Sequence, residues 1–262
     1  MNIQSAIIKG TKILKENYIQ SAQLDTEILL AKAIKKDRKY ILLNDNKNLQ
    51  NKDLIYFEEL IKERASRKPI SYLINKKFFW NFEFFVTSDT LIPRPDTELI
   101  IEQILKITKH RSKMNILDIG VGSGCILLTI LKEKKNFYGT GIDISKKCLN
   151  ISKINAKHLK VEKRTKFYKT DVDKFVQGKY DLIVSNPPYI NKNKLKYLEK
   201  DVAKFEPNLA LDGGLDGLSE IRKVVKKSSE LIKKNGKFIL EIGFDQKNKV
   251  IKLLNKKGFY IN

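Results

Sequence analysis

The stretch "MNILDIGVGSGCI", residues 114–126, decides how this chain is read. An apolar run ends in three glycines spaced two apart, and an apolar helical pattern follows to about Lys135. A strand giving way to a helix through glycines lets the backbone turn sharply and lets a ligand approach main-chain amides closely. A dinucleotide fingerprint, G-x-G-x-x-G, would need glycine at position 125; this chain has Cys125 there, with Gly124 one place earlier. No lysine–serine pair follows, so a P-loop is excluded. Gly120, Val121, Gly122, Ser123 and Gly124 are the candidate cofactor loop.

Downstream the alternation repeats. "FYGTGIDIS" (137–145) precedes a helical run from about Lys146 to Leu159, and "TKFYKTD" (165–171) and "YDLIVS" (180–185) follow. Loops, a helix near Ser219 to Lys234 and "KFILEIG" (237–243) complete the series. Strands in βαβ alternation predict an α/β fold, a doubly wound, mostly parallel Rossmann-like sheet with helices on both faces. Asp143 ends the second strand, 23 residues after Gly120, where a carboxylate suits the hydroxyls of a ribose. The third strand ends in Thr170-Asp171, where an acid and its neighbouring backbone suit an adenine amino group. The ordered set points to a nucleoside cofactor without a pyrophosphate.

The fourth strand ends unusually, in "SNPPY" (185–189). Two prolines remove two backbone donors and cannot join a sheet ladder. Such a corner holds the Asn186 side chain and the neighbouring carbonyls rigid in front of whatever approaches.

Upstream, residues 2 to about 72 read as a small helical bundle. Ile7, Ile8, Ile13, Leu14 and Ile19 recur at helical spacing, as do Leu24, Ile28, Leu29, Ala31 and Ile34, with Asp25 as the expected start of the second helix. A third helix is expected over about Lys52 to Arg64. "FFWNFEFFVTSDTLIPRP" (78–95) then reads as a hairpin turning at Thr87-Ser88-Asp89. Trp80 and its phenylalanine neighbours read as core. The expected domains are a helical bundle over 1–74, a hairpin linker over 75–95 and the α/β domain over 96–262.

Composition narrows the setting. Cys125 and Cys148 form no CxxC, His110 and His158 stand alone, and neither a disulfide framework nor a metal site is expected. The N-terminus lacks the apolar core of a secretory signal, and no run approaches a membrane span, so a cytoplasmic chain is expected. The net charge of +22 comes from 52 basic residues, only 7 of them arginine, spread along the whole chain. That reads as compositional bias, since phosphate recognition favours arginine forks, although work near RNA stays compatible with it.

The order of "LDIGVGSG", "GIDIS" and "SNPPY" resembles the class I S-adenosylmethionine-dependent methyltransferases. With "RKPISYLI" (67–74), "LIPRPDTELI" (91–100) and "FEPNLALDGGLDGL" (205–218), the chain is similar to the release-factor glutamine methyltransferases. The resemblance implies methyl transfer from S-adenosylmethionine to N5 of the glutamine in the Gly-Gly-Gln loop of peptide chain release factors. It implies that Gly120 to Gly124, Asp143, Asp171, Val172 and Asn186 bind the cofactor, and that Asn186, Pro187, Pro188 and Tyr189 bind the glutamine amide. Asn186 and Pro187 would accept its N–H groups, with the ring of Tyr189 as a flat wall. The helical bundle would grip the release factor; a monomer is expected, with no membrane and no required nucleic acid.

Three departures stand out. Val172 occupies a place where the family often has an aromatic residue, the turn before the fifth strand reads Lys234-Asn235-Gly236 in place of Pro-Gly, and the chain ends "KKGFYIN", leaving the last strand short or missing. Arg94 is expected to close over the site or to pair with Asp96 or Glu98, and the 206–214 loop to lie near the cofactor mouth. The main alternative is an amino methyltransferase acting on adenine N6 or guanine N2 of RNA, which shares the same corner logic. A third reading is a binding scaffold without activity.

Overall fold

The computed structural model describes residues 1–261. The chain forms two compact units, residues 1–75 with 199–205, and residues 76–198 with 206 onward.

The first unit is helical: α1 (Ile3–Glu16), α2 (Ala22–Ala33), α3 (Arg38–Leu43), α4 (Asn51–Ala65) and α5 (Ile70–Ile74). Side-chain oxygens of Asn2 and Asp37 cap α1 and α3 by accepting from the amides of Ser5 and Tyr40. Leu14, Leu29, Leu30, Phe57 and Ile61 bury one shared core. The start of α2 differs from expectation. The Ser21 carbonyl already accepts from the Asp25 amide at 2.8 Å, so the helix begins at Ala22 and Asp25 falls inside its first turn. There Asp25 is buried and accepts from Arg64 Nε at 2.7 Å, while Arg64 Nη1 reaches Asp201 at 2.8 Å. Burial pulls the Arg64 pKa down, but its bonds to the two aspartates outweigh that, and the guanidinium stays charged. Asp201 belongs to a short helix, called α9 in chain order below.

The second unit opens with strands β1 (Lys76–Phe79) and β2 (Phe82–Phe85), paired antiparallel. The hairpin therefore turns at Trp80-Asn81, not at Thr87-Ser88-Asp89. Trp80 takes a left-handed φ of 57°, and its amide donates to Glu98 Oε1 at 2.7 Å and its indole to Glu133 at 3.0 Å. Those bonds hold a bulky residue where a hairpin usually places asparagine or glycine. Beyond β2 follow α6 (Glu98–Ile107), β3 (Asn115–Ile119), α7 (Cys125–Glu133), β4 (Tyr138–Asp143) and α8 (Lys146–His158). After these come β5 (Thr165–Lys169) and β6 (Tyr180–Ser185), then α9 (Lys200–Phe205), which belongs to the first unit, then α10 (Ser219–Leu231), β7 (Ile232–Leu240) and α11 (Lys247–Lys256).

The sheet runs β5-β4-β3-β6-β7, and every pair is parallel. Ile116, Leu182 and Val184 face α6, α7 and α8 on one side; Leu117, Ile119 and Ile183 face the side closed by Val224 and Leu231 of α10. Strands buried on both faces read as continuous apolar runs, as "NILDI" and "LIVS" do. Strand order reverses between β3 and β6, which opens a crevice beyond their carboxyl ends. On β7 the expected Lys234-Asn235-Gly236 turn is a bulge: Tyr180 pairs with Ile232 but Leu182 with Lys237, and Asn235 takes a φ of 63°. No strand follows α11 among the described residues; Phe259 instead packs on Phe238 at 5.3 Å. Among the described residues no helix is long and apolar enough to cross a membrane.

Candidate active site

A cavity of about 430 Å³ lies in that crevice, within the range of small-molecule sites. Its walls come from the strand ends, the 88–97 segment, the 207–212 loop and α10.

One end is made of backbone. Gly120, Gly122 and Gly124 all take positive φ, at 77°, 54° and 84°. The loop is pinned from beneath: the amides of Gly120 and Val121 both donate to the Ile142 carbonyl, Ser152 Oγ donates to the Gly122 carbonyl at 2.8 Å, and Asn155 Nδ2 to the Ser123 carbonyl at 2.8 Å. Gly120 and Gly124 are glycines for different reasons. A Cβ on Gly124 would sit 2.7 Å from Leu128 Cδ1, whereas one on Gly120 meets no atom within 4 Å. Gly124 serves packing; Gly120 leaves open space beside the cavity.

Asp143 sits across from this loop. Its Oδ2 accepts from the Gly122 amide at 3.0 Å and its Oδ1 from the Ser145 amide at 2.8 Å. Burial raises its pKa, and the backbone donors pull the other way. The carboxylate is thus oriented in advance, with lone pairs left over for a polyol. Asp171 accepts from the Asp173 amide at 3.0 Å, capping a short turn that sets Val172 against the wall. An open-backed glycine, an aligned acid and an apolar cover suit a nucleoside. The residues therefore fit S-adenosylmethionine.

The other end is made of side chains. Asn186 Nδ2 donates to Thr97 Oγ1 at 3.2 Å, and Thr97 Oγ1 donates to Glu241 Oε2 at 2.7 Å. Tyr189 OH donates to Glu241 Oε1 at 3.3 Å. Burial raises the Glu241 pKa, while bonds from Thr97, Tyr189 and Asn186 lower it. The 211–217 loop clasps the corner from outside. Gln246 Nε2 bridges the carbonyls of Tyr189 and Gly217 at 2.9 and 3.0 Å, and a Cβ on Gly213 would lie 2.9 Å from the Tyr189 backbone. Arg94 pairs with neither Asp96 nor Glu98. Its Nη2 lies 2.6 Å from Oε1 of the buried Glu206, whose other oxygen accepts from the Ile92 amide. That pair ties the 91–97 segment to the 206 loop along the cavity wall.

Gly120, Val121, Gly122, Ser123, Asp143, Asp171, Val172, Asn186, Pro187 and Pro188 all line the cavity. Gly124 and Tyr189 do not. Tyr189 packs against the apolar cluster that holds Leu218, Ile221 and Val225, and its hydroxyl donates to Glu241 at the amide end. Sequence reasoning missed Thr97 and Glu241. The available signal was a threonine in "PRPDTE" and an acid just past the fifth strand of the sheet. Burial favours the protonated form of both thiols, pushing Cys125 up to about 12 and Cys148 up to about 11. Among the described residues no group of histidine, cysteine and acid side chains could hold a metal.

Residues 5–74 match the family model described as the PrmC N-terminal domain, and residues 95–216 the Methyltransferase small domain. A release factor glutamine methyltransferase of Clostridium acetobutylicum is 36% identical over 99% of this chain and 92% of its own length. The chain belongs to the release factor glutamine methyltransferase family. A second member, from Buchnera aphidicola subsp. Acyrthosiphon pisum, is 37% identical over 99% of this chain and 92% of its own. Among solved structures, the hMettl16 catalytic domain in complex with the MAT2A 3'UTR hairpin 6 superimposes with a TM-score of 0.56 at 16% identity, covering 68% of each chain. At that identity the likeness concerns the sheet and its flanking helices alone.

Proposed function

We propose that this enzyme transfers a methyl group from S-adenosylmethionine to N5 of the glutamine in the Gly-Gly-Gln loop of peptide chain release factors. The observation that carries the reading is the rigid Asn186-Pro187-Pro188 corner opening onto the same cavity as the glycine loop and Asp143. Near full-length similarity to release factor glutamine methyltransferases supports it.

When bound, S-adenosylmethionine supplies an electrophilic methyl on a sulfonium. Asp143 would hold the ribose hydroxyls, the Gly120–Gly124 loop would allow close approach of the cofactor, and Asp171 and Val172 would address the adenine. A carboxamide nitrogen is a weak nucleophile, its lone pair being delocalised, so it must be held in line. Asn186 Oδ1 and the Pro187 carbonyl accept its two N–H groups and turn the lone pair toward the methyl. The prolines fix those dipoles before the substrate arrives, and positive charge then develops against them. No side chain is assigned as general base; the surplus proton leaves to water. Two glycines beside the target glutamine let a backbone thread a narrow entrance. The 1–74 bundle grips the release factor, and the enzyme works in the cytoplasm as a monomer.

The test is labelled methyl transfer to purified release factor, run beside unmodified ribosomal and transfer RNA. Label is expected on the release factor, absent when its loop glutamine is replaced, and reduced about 10²- to 10³-fold by Asn186→Ala. Label on RNA alone would overturn the reading.

A further inference from the structure

Asn186 can act as an acceptor only if its amide faces the right way, and the two orientations of a carboxamide are almost the same shape. We propose that Thr97 and Glu241 are positioning residues that set this orientation. The inference rests on the glutamine-methylating reading above and deepens it.

The argument is one of donors and acceptors. Thr97 Oγ1 carries a single proton. It lies 2.7 Å from Glu241 Oε2, an oxygen that in the ionised acid can only accept, so the proton goes there. Thr97 Oγ1 is then left with lone pairs alone, and the atom of Asn186 that satisfies them is Nδ2, at 3.2 Å. The opposite orientation would place Oδ1 against those lone pairs. Hydrogen bonding from Glu241 through Thr97 therefore sends the Asn186 Oδ1 the other way, free to accept the N–H of a substrate amide.

Both anchors are fixed independently of ligand. Thr97 is buried, its amide donating to the Arg94 carbonyl at 3.2 Å in a short turn opened by Pro95. The Glu241 amide donates to the carbonyl of Ser185, the residue before Asn186, at 3.0 Å, so the acid and the corner move together. Tyr189 OH donates to the second Glu241 oxygen at 3.3 Å, which supports the ionised form that burial opposes. Three segments far apart in sequence thereby define the polarity of one side chain. The arrangement also selects chemistry: a free oxygen on Asn186 welcomes an amide and repels a carboxylate, so glutamine is favoured over glutamate.

The test measures methyl transfer to release factor for Thr97→Val and Thr97→Ser, with cofactor affinity and melting temperature measured alongside. Thr97→Val keeps the shape and loses the hydroxyl; kcat is expected to fall on the order of 10- to 100-fold, more than KM changes, with cofactor affinity within about twofold. Thr97→Ser is expected to recover most of that loss. In an Asn186→Ala background, Thr97→Val is expected to add no further loss, since its effect runs through Asn186. Should Thr97→Val not fold, Thr97→Ala takes its place in each arm. A kcat within about twofold of wild type, a serine no better than valine, or full additivity with Asn186→Ala would each overturn the assignment. If the wild-type enzyme leaves release factor unlabelled, the functional reading falls and this inference with it; if wild type and Thr97→Val label equally, only the inference falls.

Discussion

The two ends of the cavity are built by different means. The cofactor end is local in sequence: residues 120–124 supply three positive-φ glycines, and their anchors lie on the next strand, β4, and the helix after it, α8. The amide end is assembled from residues 97, 186 and 241, each on a different segment, and depends on side-chain hydrogen bonds. A backbone site tolerates changes of side chain but not of backbone geometry. A side-chain site is undone by the loss of one hydroxyl. Perturbations at the cofactor end should accordingly register in stability and affinity, and those at Asn186 or Thr97 in turnover.

The largest expected effect concerns Asp118, buried in β3 under the loop with neither oxygen in a hydrogen bond of ordinary geometry. Burial pushes it up to about 7, against a weaker pull from the Leu127 amide. Below about pH 4 both folded and unfolded chains hold this proton. Between 4 and 7 only the folded one does, so stability falls as pH rises, and above 7 the cost is complete. The contribution is about 1.4 kcal/mol per pH unit, on the order of 3–4 kcal/mol across the window. Denaturant unfolding of wild type and Asp118→Asn at pH 5 and 8 checks this: about two pH units of the window fall between those values, so the difference between the two proteins should change by just under 3 kcal/mol. Equal pH dependence in both would show that Asp118 is solvated.

Gly124→Ala comes next. A left-handed φ of 84° and a methyl 2.7 Å from Leu128 should together cost about 2–3 kcal/mol, read as a fall in melting temperature of about 5–10 °C. Gly120→Ala is the smallest in stability and the most telling in binding. Its methyl meets open space, so only backbone strain of about 1 kcal/mol is expected, but cofactor affinity measured by calorimetry should drop tenfold or more. If Gly120→Ala bound cofactor normally while Gly124→Ala did not, the division of labour between the two glycines would be reversed.

Much of this was legible in the sequence because the signals were short-range. Strands β3 and β6 announce themselves as apolar runs and the others by their alternation with helices, the glycine loop lies within five residues, and Asp143 follows at the next strand end. What escaped was set by distant or unusual contacts. The hairpin turn sits at Trp80 because Glu98 and Glu133 hold it there, which no local propensity reveals. Arg94 passes over two nearby acids for Glu206, 112 residues away. Tyr189 packs on an apolar cluster and donates to Glu241, 52 residues further along the chain. The 206–214 loop, expected near the cofactor mouth, lines the cavity with Pro207, Leu209, Ala210 and Asp212, and what sequence did not show is that Gly213 and Gly217 let this segment brace the Tyr189 backbone.

The sheet has two open sides, β5 and β7, each bonded to a single neighbour. An unpaired strand is a template on which a second chain can add itself. Here β5 carries Lys166 and Lys169, and β7 carries Lys233, Lys234 and Lys237 around its bulge. A newcomer would have to lay its backbone beside ammonium groups and follow a strand that bends out of register. Lysine on an edge strand disfavours such an addition.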